Sequence, residues 1–197
     1  EGPILGDYDP KKILNTEELD TIEKFKPIYQ AIKQVRSKTR KPMLDNNKFI
    51  ANKDIIGFAG APWTLLVYML NKESPKRNFD FNFITKDKLL IKKLIEKLIG
   101  TIVFHIIKQI EAGADVIQIF DSWAGLLPKK DLPEYCFDPT LEILQRVKKF
   151  GVPVICFPRG IKESYSDFCS TVKPDCISID YNIDPLWIKE KANGIPI

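Results

Sequence analysis

Four short apolar runs are the feature of this sequence that most constrains its fold. They cover residues 55–59, 116–120, 154–157 and 176–179. Each run is continuous rather than alternating, a pattern typical of parallel strands that are buried on both faces. Helical or loop stretches separate the runs, so the predicted order is β-α-β-α-β-α-β, which indicates an α/β fold. Four such strands form either a small open sheet or half of an eight-stranded (β/α) barrel.

The longest predicted helix lies between the first two strands. It begins after the N-cap Thr85 and runs to about Ala112, with leucines and isoleucines every three or four residues and lysines on the other side. Gly113 is a suitable C-cap. The only histidine of the chain, His105, falls near the lysine-bearing side, so we expect it to be solvated on the helix surface.

Composition and charge exclude several classes of protein. The chain is 44% hydrophobic and 28% charged, as is ordinary for a globular domain. No uncharged apolar run reaches the ~18 residues typical of a membrane span. The net charge of +4 is mild and no basic stripe with interleaved aromatic residues is present, so we expect no nucleic-acid partner.

The cysteines and the first residues indicate the cellular compartment of the chain and its place in a longer protein. None of the four cysteines forms a C-x-x-C pair, which favours a reducing compartment without disulfides, and no metal site is expected. The first residues resemble neither a signal peptide nor a transit peptide. Because they also lack an initiator Met, we expect the chain to begin inside a longer protein.

Glycine or polar residues follow every predicted strand. In parallel sheets the carboxyl ends of the strands carry the site residues, so these four junctions are the candidate site. Pro62 presets the backbone of a first helical turn, so the first junction turns sharply from strand to helix. The junctions are Gly60-Ala61-Pro62-Trp63, Asp121-Ser122-Trp123, Pro158-Arg159-Gly160 and Asp180-Tyr181-Asn182.

The polar side chains near these junctions each have two interpretations. Tyr68 lies one helical turn after Thr64, where its hydroxyl can donate to a substrate carboxylate or its ring can pack between helix and sheet. Asp121 and Ser122 are neighbours on a strand, so only one of them can face a barrel interior, and both can instead cap the turn. Arg159 can pair with an anionic group or remain on the surface.

Two of the junctions carry motifs that are long enough to name a family. Residues 57–65, Gly-Phe-Ala-Gly-Ala-Pro-Trp-Thr-Leu, followed by Tyr68-Met69, closely resemble the signature of the uroporphyrinogen decarboxylase family. Residues 120–125, Phe-Asp-Ser-Trp-Ala-Gly, resemble the second signature block of that family at the expected later position. Residues 157–160 and 178–181 are similar to its next two strand ends, and the resemblance extends through nearly all of the chain.

The resemblance implies a fold, an activity and site residues. Members of the family are (β/α)8 barrels, usually homodimers, that convert uroporphyrinogen III to coproporphyrinogen III by removing the carboxyl groups of four acetate side chains. They use no cofactor and no metal, because the protonated pyrrole ring itself takes up the electrons. By this resemblance Tyr68 and Ser122 are expected to be catalytic and to contact the tetrapyrrole, and Phe58 to line the substrate pocket. Arg159 stands where the family often has lysine.

Several parts of the family pattern are absent from this sequence. They are the N-terminal block with arginines, the Ser-Asp strand with the central aspartate, and the last strands with their histidine. We therefore expect residues 1–197 to form a single partial barrel domain, about strands three to six of eight, that is inactive alone.

Two alternatives to a decarboxylase stay open. One is a non-catalytic tetrapyrrole-binding or scaffold fragment. The other is a zinc-dependent methyltransferase of the same barrel superfamily, although the His and Cys cluster that zinc requires is not visible. The expected compartment is the cytoplasm or a plastid, since the family works in both.

Overall fold

The computed structural model describes residues 9–15, 18–39, 43–45, 48–50, 53–71, 75 and 79–197. The helices are α1 (Pro10–Asn15), α2 (Glu18–Thr39), α3 (Pro62–Leu70), α4 (Asn82–Lys86), α5 (Lys88–Ala112), α6 (Asp138–Val147), α7 (Tyr165–Val172) and α8 (Pro185–Lys191). The strands are β1 (Met43–Asp45), β2 (Lys48–Ile50), β3 (Ile56–Gly60), β4 (Val116–Asp121), β5 (Val154–Pro158) and β6 (Cys176–Ile177). None of the helices in these ranges is long and apolar enough to cross a membrane.

Strands β3 to β6 form one parallel sheet in chain order. Its register pairs Gly57 with Ile117 and Ile119 with Cys156. Helical segments connect each strand to the next, so the predicted α/β fold is confirmed. Neighbouring strands of a (β/α) barrel follow one another in the same way. The separate pair β1 and β2 is antiparallel and lies in a stretch without a predicted strand.

The parallel sheet has one covered face and one open face. Residues such as Ile117, Ile119 and Cys156 point toward the helices and are buried. On the other face Ile56 is 53% exposed and Phe58 is 63% exposed. The prediction that the strands are buried on both faces is therefore wrong for the described residues, since none of them covers this second face. In a closed barrel it is the interior face, which the opposite strands cover.

Helix α5 provides much of the cover of the sheet. Its N-cap is Asp87, whose side chain accepts a hydrogen bond from Leu90 N at 2.9 Å, and not Thr85, which lies in α4. Gly113 ends the helix in the left-handed conformation with φ of 112°, as predicted. The buried residues recur every three or four positions: Ile91, Leu94, Ile95, Leu98, Ile99, Ile102, Val103, Ile106, Gln109 and Ala112.

Gln109 of α5 satisfies the backbone at the outer edge of β3. Its Oε1 accepts a hydrogen bond from Phe58 N at 3.0 Å, and its Nε2 donates to Phe58 O at 2.9 Å. The side-chain amide thus takes the place of a neighbouring strand at this residue. Gly57 leaves the necessary room, because a Cβ there would lie 2.8 Å from the Gln109 Oε1.

His105 of α5 packs against α2. Its Nδ1 lies 2.9 Å from the Tyr29 hydroxyl oxygen, and its ring centroid lies 4.9 Å from that of Phe25. The prediction of a solvated surface histidine is therefore wrong, because α2 lies against this side of α5.

Acid is expected to weaken this contact between α2 and α5. Burial lowers the pKa of His105 below its ordinary value of 6.5, because the imidazolium is poorly solvated there. The unfolded chain then binds the proton more readily, so stability is complete above 6.5 and declines as the pH falls toward the folded pKa. NMR titration of the His105 ring should give a midpoint below 6.5, and a midpoint at or above that value would contradict the expectation. A His105→Gln variant is the control and should lose this part of the pH dependence.

Candidate active site

The carboxyl ends of β3 to β6 meet at one edge of the sheet, as the sequence predicts. Ala61 N donates to Phe120 O at 2.8 Å, which joins the first two junctions. Arg159 N donates to Asp121 O at 3.1 Å and joins the second to the third. The junctions therefore form a continuous rim along the open face, where parallel α/β proteins place their sites.

Three phenylalanines line the open face just below the rim. The ring centroids of Phe58 and Phe120 are 6.2 Å apart, with an angle of 83° between the ring planes. Those of Phe120 and Phe157 are 6.3 Å apart at 80°. Such edge-to-face contacts form an apolar surface against which further aromatic rings can pack. We call these three residues the phenylalanine face.

Tyr68 and Ser122 lie close together at the rim, on two different elements. Tyr68 belongs to α3, and its ring centroid lies 6.0 Å from that of Trp123 at an angle of 79°. Ser122 directly precedes Trp123 in the turn after β4. Both side chains are partly exposed, and neither hydroxyl bonds to another residue in the part of the chain that the structure describes. Both hydroxyls are therefore available to a ligand.

Asp121 and Ser122 differ in their surroundings, because Asp121 ends β4 and is buried, whereas Ser122 is a partly exposed residue of the turn that follows. Asp121 is buried at 3% exposure under α3, and its Oδ1 accepts a hydrogen bond from Thr64 Oγ1 at 2.6 Å. The same threonine oxygen accepts a hydrogen bond from Trp123 N at 3.2 Å. Thr64 therefore connects α3, which carries Tyr68, to the turn that carries Ser122. We call these contacts the Thr64–Asp121 link.

Burial changes the protonation of Asp121. It raises the pKa of this carboxyl from its ordinary value of 3.8 to about 6, and hydrogen bonding from Thr64 opposes the shift. Burial also raises the pKa of the nearby Cys136 thiol, and the Asp121 charge adds to that effect. The thiol is therefore neutral at physiological pH, and the pair lies on the side of the sheet away from the open face.

A second polar cluster joins the ends of β5 and β6. Asp180 Oδ2 accepts hydrogen bonds from Gly160 N at 2.6 Å and from the Tyr165 hydroxyl at 3.0 Å. The other oxygen of Asp180 lies 3.8 Å from Arg159 Nε. Burial and the Asp180 charge both raise the pKa of Tyr165, so this tyrosine stays a neutral donor. The two bonds hold Asp180 in a fixed position at the rim.

The turns after β4 and β5 touch backbone to backbone. Gly125 N donates to Arg159 O at 2.9 Å. A Cβ on Gly125 would lie only 2.7 Å from Gly160 O, and Gly160 itself has a φ of 83° that favours glycine. These contacts determine the spacing between the turn with Ser122 and the turn with Arg159.

An apolar cavity of about 440 Å³ adjoins the outer edge of β3. Phe58 and Gly60 line it together with side chains from α1, α2, α3 and α5, His105 among them. Phe58 therefore borders both this cavity and the open face.

The cysteines of the chain are free thiols. Among the described residues, no three His, Cys, Asp or Glu side chains converge in the way that metal ligands do.

Several contacts that shape the site are not visible in the sequence. Thr64 appears there only as a member of the first motif, one turn before Tyr68, and Tyr165 has no predicted role. A threonine next to Pro62-Trp63 at the start of a helix is a weak signal, because its partner lies on a strand 57 residues away.

The whole chain, residues 1–197, matches the family model described as Uroporphyrinogen decarboxylase (URO-D). The uroporphyrinogen decarboxylase of Wolbachia pipientis wMel is 38% identical over 200 residues, which cover 100% of this chain and 54% of that relative. The uroporphyrinogen decarboxylase of Rickettsia bellii is 33% identical over 200 residues, covering 100% and 56%. That of Rickettsia canadensis is 32% identical over 198 residues, covering 98% and 55%. The chain thus spans about half the length of these curated relatives.

The fold agrees with these similarities. The family is a TIM barrel, and four parallel strands in chain order with connecting helices make up a consecutive part of such a barrel. The predicted partial barrel is therefore confirmed, and the motifs at residues 57–65 and 120–125 lie on paired strands of its rim. The chain belongs to the uroporphyrinogen decarboxylase family.

Proposed function

We propose that the protein containing this chain decarboxylates uroporphyrinogen III to coproporphyrinogen III by removing the carboxyl groups of four acetate side chains. The observation that carries the proposal is the arrangement of side chains at the rim, in a chain that belongs to this family. There, two partly exposed hydroxyls, of Tyr68 and Ser122, border an apolar surface that suits pyrrole rings.

The proposed chemistry uses the substrate as its own electron sink. A proton added to the pyrrole ring carbon that bears the bridging methylene, next to the carbon that carries the acetate side chain, makes the ring cationic. The bond to the carboxylate then breaks, carbon dioxide leaves, and the electron pair of that bond moves into the ring. Protonation of the remaining exocyclic CH₂ and loss of the ring proton restore a pyrrole that carries a methyl group. The protein accelerates such a step by placing charges and hydrogen bonds where charge changes.

In this proposal the residues of the rim bind and orient the substrate. The hydroxyls of Tyr68 and Ser122 donate hydrogen bonds to substrate carboxylates, and Phe58 packs against a pyrrole ring. The phenylalanine face keeps water away from that side of the ring, which strengthens hydrogen bonds made beside it. No cofactor or metal takes part in the proposed reaction.

Loss of either hydroxyl is expected to impair turnover. In the full-length protein, Tyr68→Phe and Ser122→Ala should each lower kcat/KM about tenfold to a hundredfold, because a charge-assisted hydrogen bond to the substrate is lost. The measurement is product formation from uroporphyrinogen under anaerobic conditions, resolved by the number of remaining carboxyl groups. Ser170→Ala is the matched control, since Ser170 is exposed on the surface of α7 and lies outside the rim.

The outcomes separate the proposal from its alternatives. Full-length protein that binds uroporphyrinogen but releases no carbon dioxide would favour the non-catalytic tetrapyrrole-binding alternative and overturn the proposal. Zinc bound in stoichiometric amount to purified protein would favour the methyltransferase alternative. Unchanged kinetics of one variant would remove only that residue from the site.

The remaining parts of the proposal concern the assembly and setting of the protein. We infer a homodimer, which light scattering of the full-length protein tests, and a location in the cytoplasm or a plastid, which cell fractionation tests. We also infer that residues 1–197 form one partial barrel domain without decarboxylase activity of its own.

A further inference from the structure

Arg159 is a cation at the rim whose guanidinium is only partly used by the fold. Its side chain is 51% exposed, and the charged group closest to it is Asp180, with Oδ1 at 3.8 Å from Arg159 Nε. That distance is too long for a hydrogen bond. In the described part of the chain, no hydrogen bond involves the Nη1 or Nη2 of Arg159.

Asp180 lies beside this guanidinium without using its hydrogen-bond donors. The carboxylate is anchored from behind by Gly160 N and the Tyr165 hydroxyl, and its side chain is only 12% exposed. Because the Arg159 side chain is half-exposed and the two charged groups are 3.8 Å apart, the attraction between Arg159 and Asp180 is weak in water. The two terminal nitrogens therefore keep their donors for a second carboxylate, which an arginine binds through two parallel hydrogen bonds.

The position of Arg159 relates it to the open face. Strand alternation places it on the same side of the sheet as Phe157, and Arg159 N bonds to the strand residue that precedes Ser122. Within β3 to β6 and the two residues after each strand, all of them described, Arg159 is the one cationic residue. An anionic ligand lying on the phenylalanine face would meet its positive charge here.

We propose that Arg159 binds a carboxylate group of the polycarboxylate substrate through its two terminal nitrogens, beside the fixed Asp180 carboxylate. This inference rests on the proposed function and adds a residue that sets affinity for multiply charged tetrapyrroles. Arg159 acts in binding, so its loss changes KM more than kcat.

The test uses full-length protein with Arg159→Gln and Arg159→Lys. The probes are fluorescence titration with uroporphyrin, which carries eight carboxyl groups, and steady-state kinetics with uroporphyrinogen. We expect Arg159→Gln to raise both Kd and KM about tenfold or more, since it removes a charged, two-pronged hydrogen bond. Lysine keeps the positive charge but cannot form two parallel hydrogen bonds to one carboxylate, so Arg159→Lys should raise Kd and KM about threefold or more. The affinity of Arg159→Gln should also respond less to added salt.

The matched control is Lys149→Gln, which removes the same charge from an exposed residue at the opposite end of β5. Its Kd and KM should equal those of the wild-type protein. Active wild-type protein whose Arg159→Gln variant keeps the same Kd and KM would overturn the Arg159 assignment and leave the proposed function standing. Wild-type protein that neither binds uroporphyrin nor decarboxylates would overturn both. If the Arg159→Gln variant does not fold, the Arg159→Lys variant is the test. Unchanged Kd and KM of that variant would contradict a bidentate hydrogen bond from Arg159 to a substrate carboxylate.

Discussion

Replacing Gly125 with alanine is expected to destabilise the protein by about 3 kcal/mol, the upper end of the usual cost of overpacking. The added Cβ would lie 2.7 Å from Gly160 O, 2.8 Å from its Cα and 2.9 Å from its carbonyl carbon. These are backbone atoms, which cannot rotate away as a flexible side chain can. The two turns must therefore separate, and the hydrogen bond from Gly125 N to Arg159 O would be lost with them.

Gly100→Ala is the control for this substitution. Gly100 lies inside α5, and a Cβ there would meet no atom within 4 Å. Alanine is the better helix former, so this variant should gain about 0.5–1 kcal/mol. Urea unfolding followed by circular dichroism measures both changes. A Gly125→Ala variant as stable as the wild-type protein would show that the two turns are not held in close contact.

The strands were predictable because their apolar runs carry the signal within a few residues. Each of the four runs overlaps an observed strand, and Gly113 ends α5 where expected. The open face was not predictable from the same runs. An apolar strand shows that its side chains need cover, whereas the cover itself comes from segments far away in the chain, and Phe58 remains 63% exposed.

The site was predictable only in part. Asp121 is buried and Ser122 is partly exposed, in keeping with the expectation that only one of them faces a barrel interior. The family resemblance selected Tyr68 and Ser122, whose roles stay predictions. The contacts that bring these residues together join positions far apart in the chain. Thr64 and Asp121 are 57 residues apart, and neither periodicity nor a short motif reports such a pairing.

Burial of Asp121 is expected to make stability depend on pH. The pKa of Asp121 is about 6 in the folded protein and 3.8 ordinarily, so the folded state binds more protons between these values. The free energy of unfolding therefore falls as the pH rises through this window and levels off above it. Asparagine has no ionisable group, so the Asp121→Asn variant should lose this part of the change of unfolding free energy with pH.

Thr64→Val should cost about 3 kcal/mol near pH 8, because it leaves the buried Asp121 carboxylate without its Thr64 donor. The deficit should shrink to about 1 kcal/mol near pH 4, where the carboxyl is protonated and only a neutral hydrogen bond is lost. In the Asp121→Asn background the same substitution should cost about 1 kcal/mol at both pH values, and the double-mutant cycle measures the difference. Thr64→Ser keeps the hydroxyl and serves as the control. A deficit for Thr64→Val that is equal at both pH values and in both backgrounds would mean that Thr64 does not stabilise the charge of Asp121.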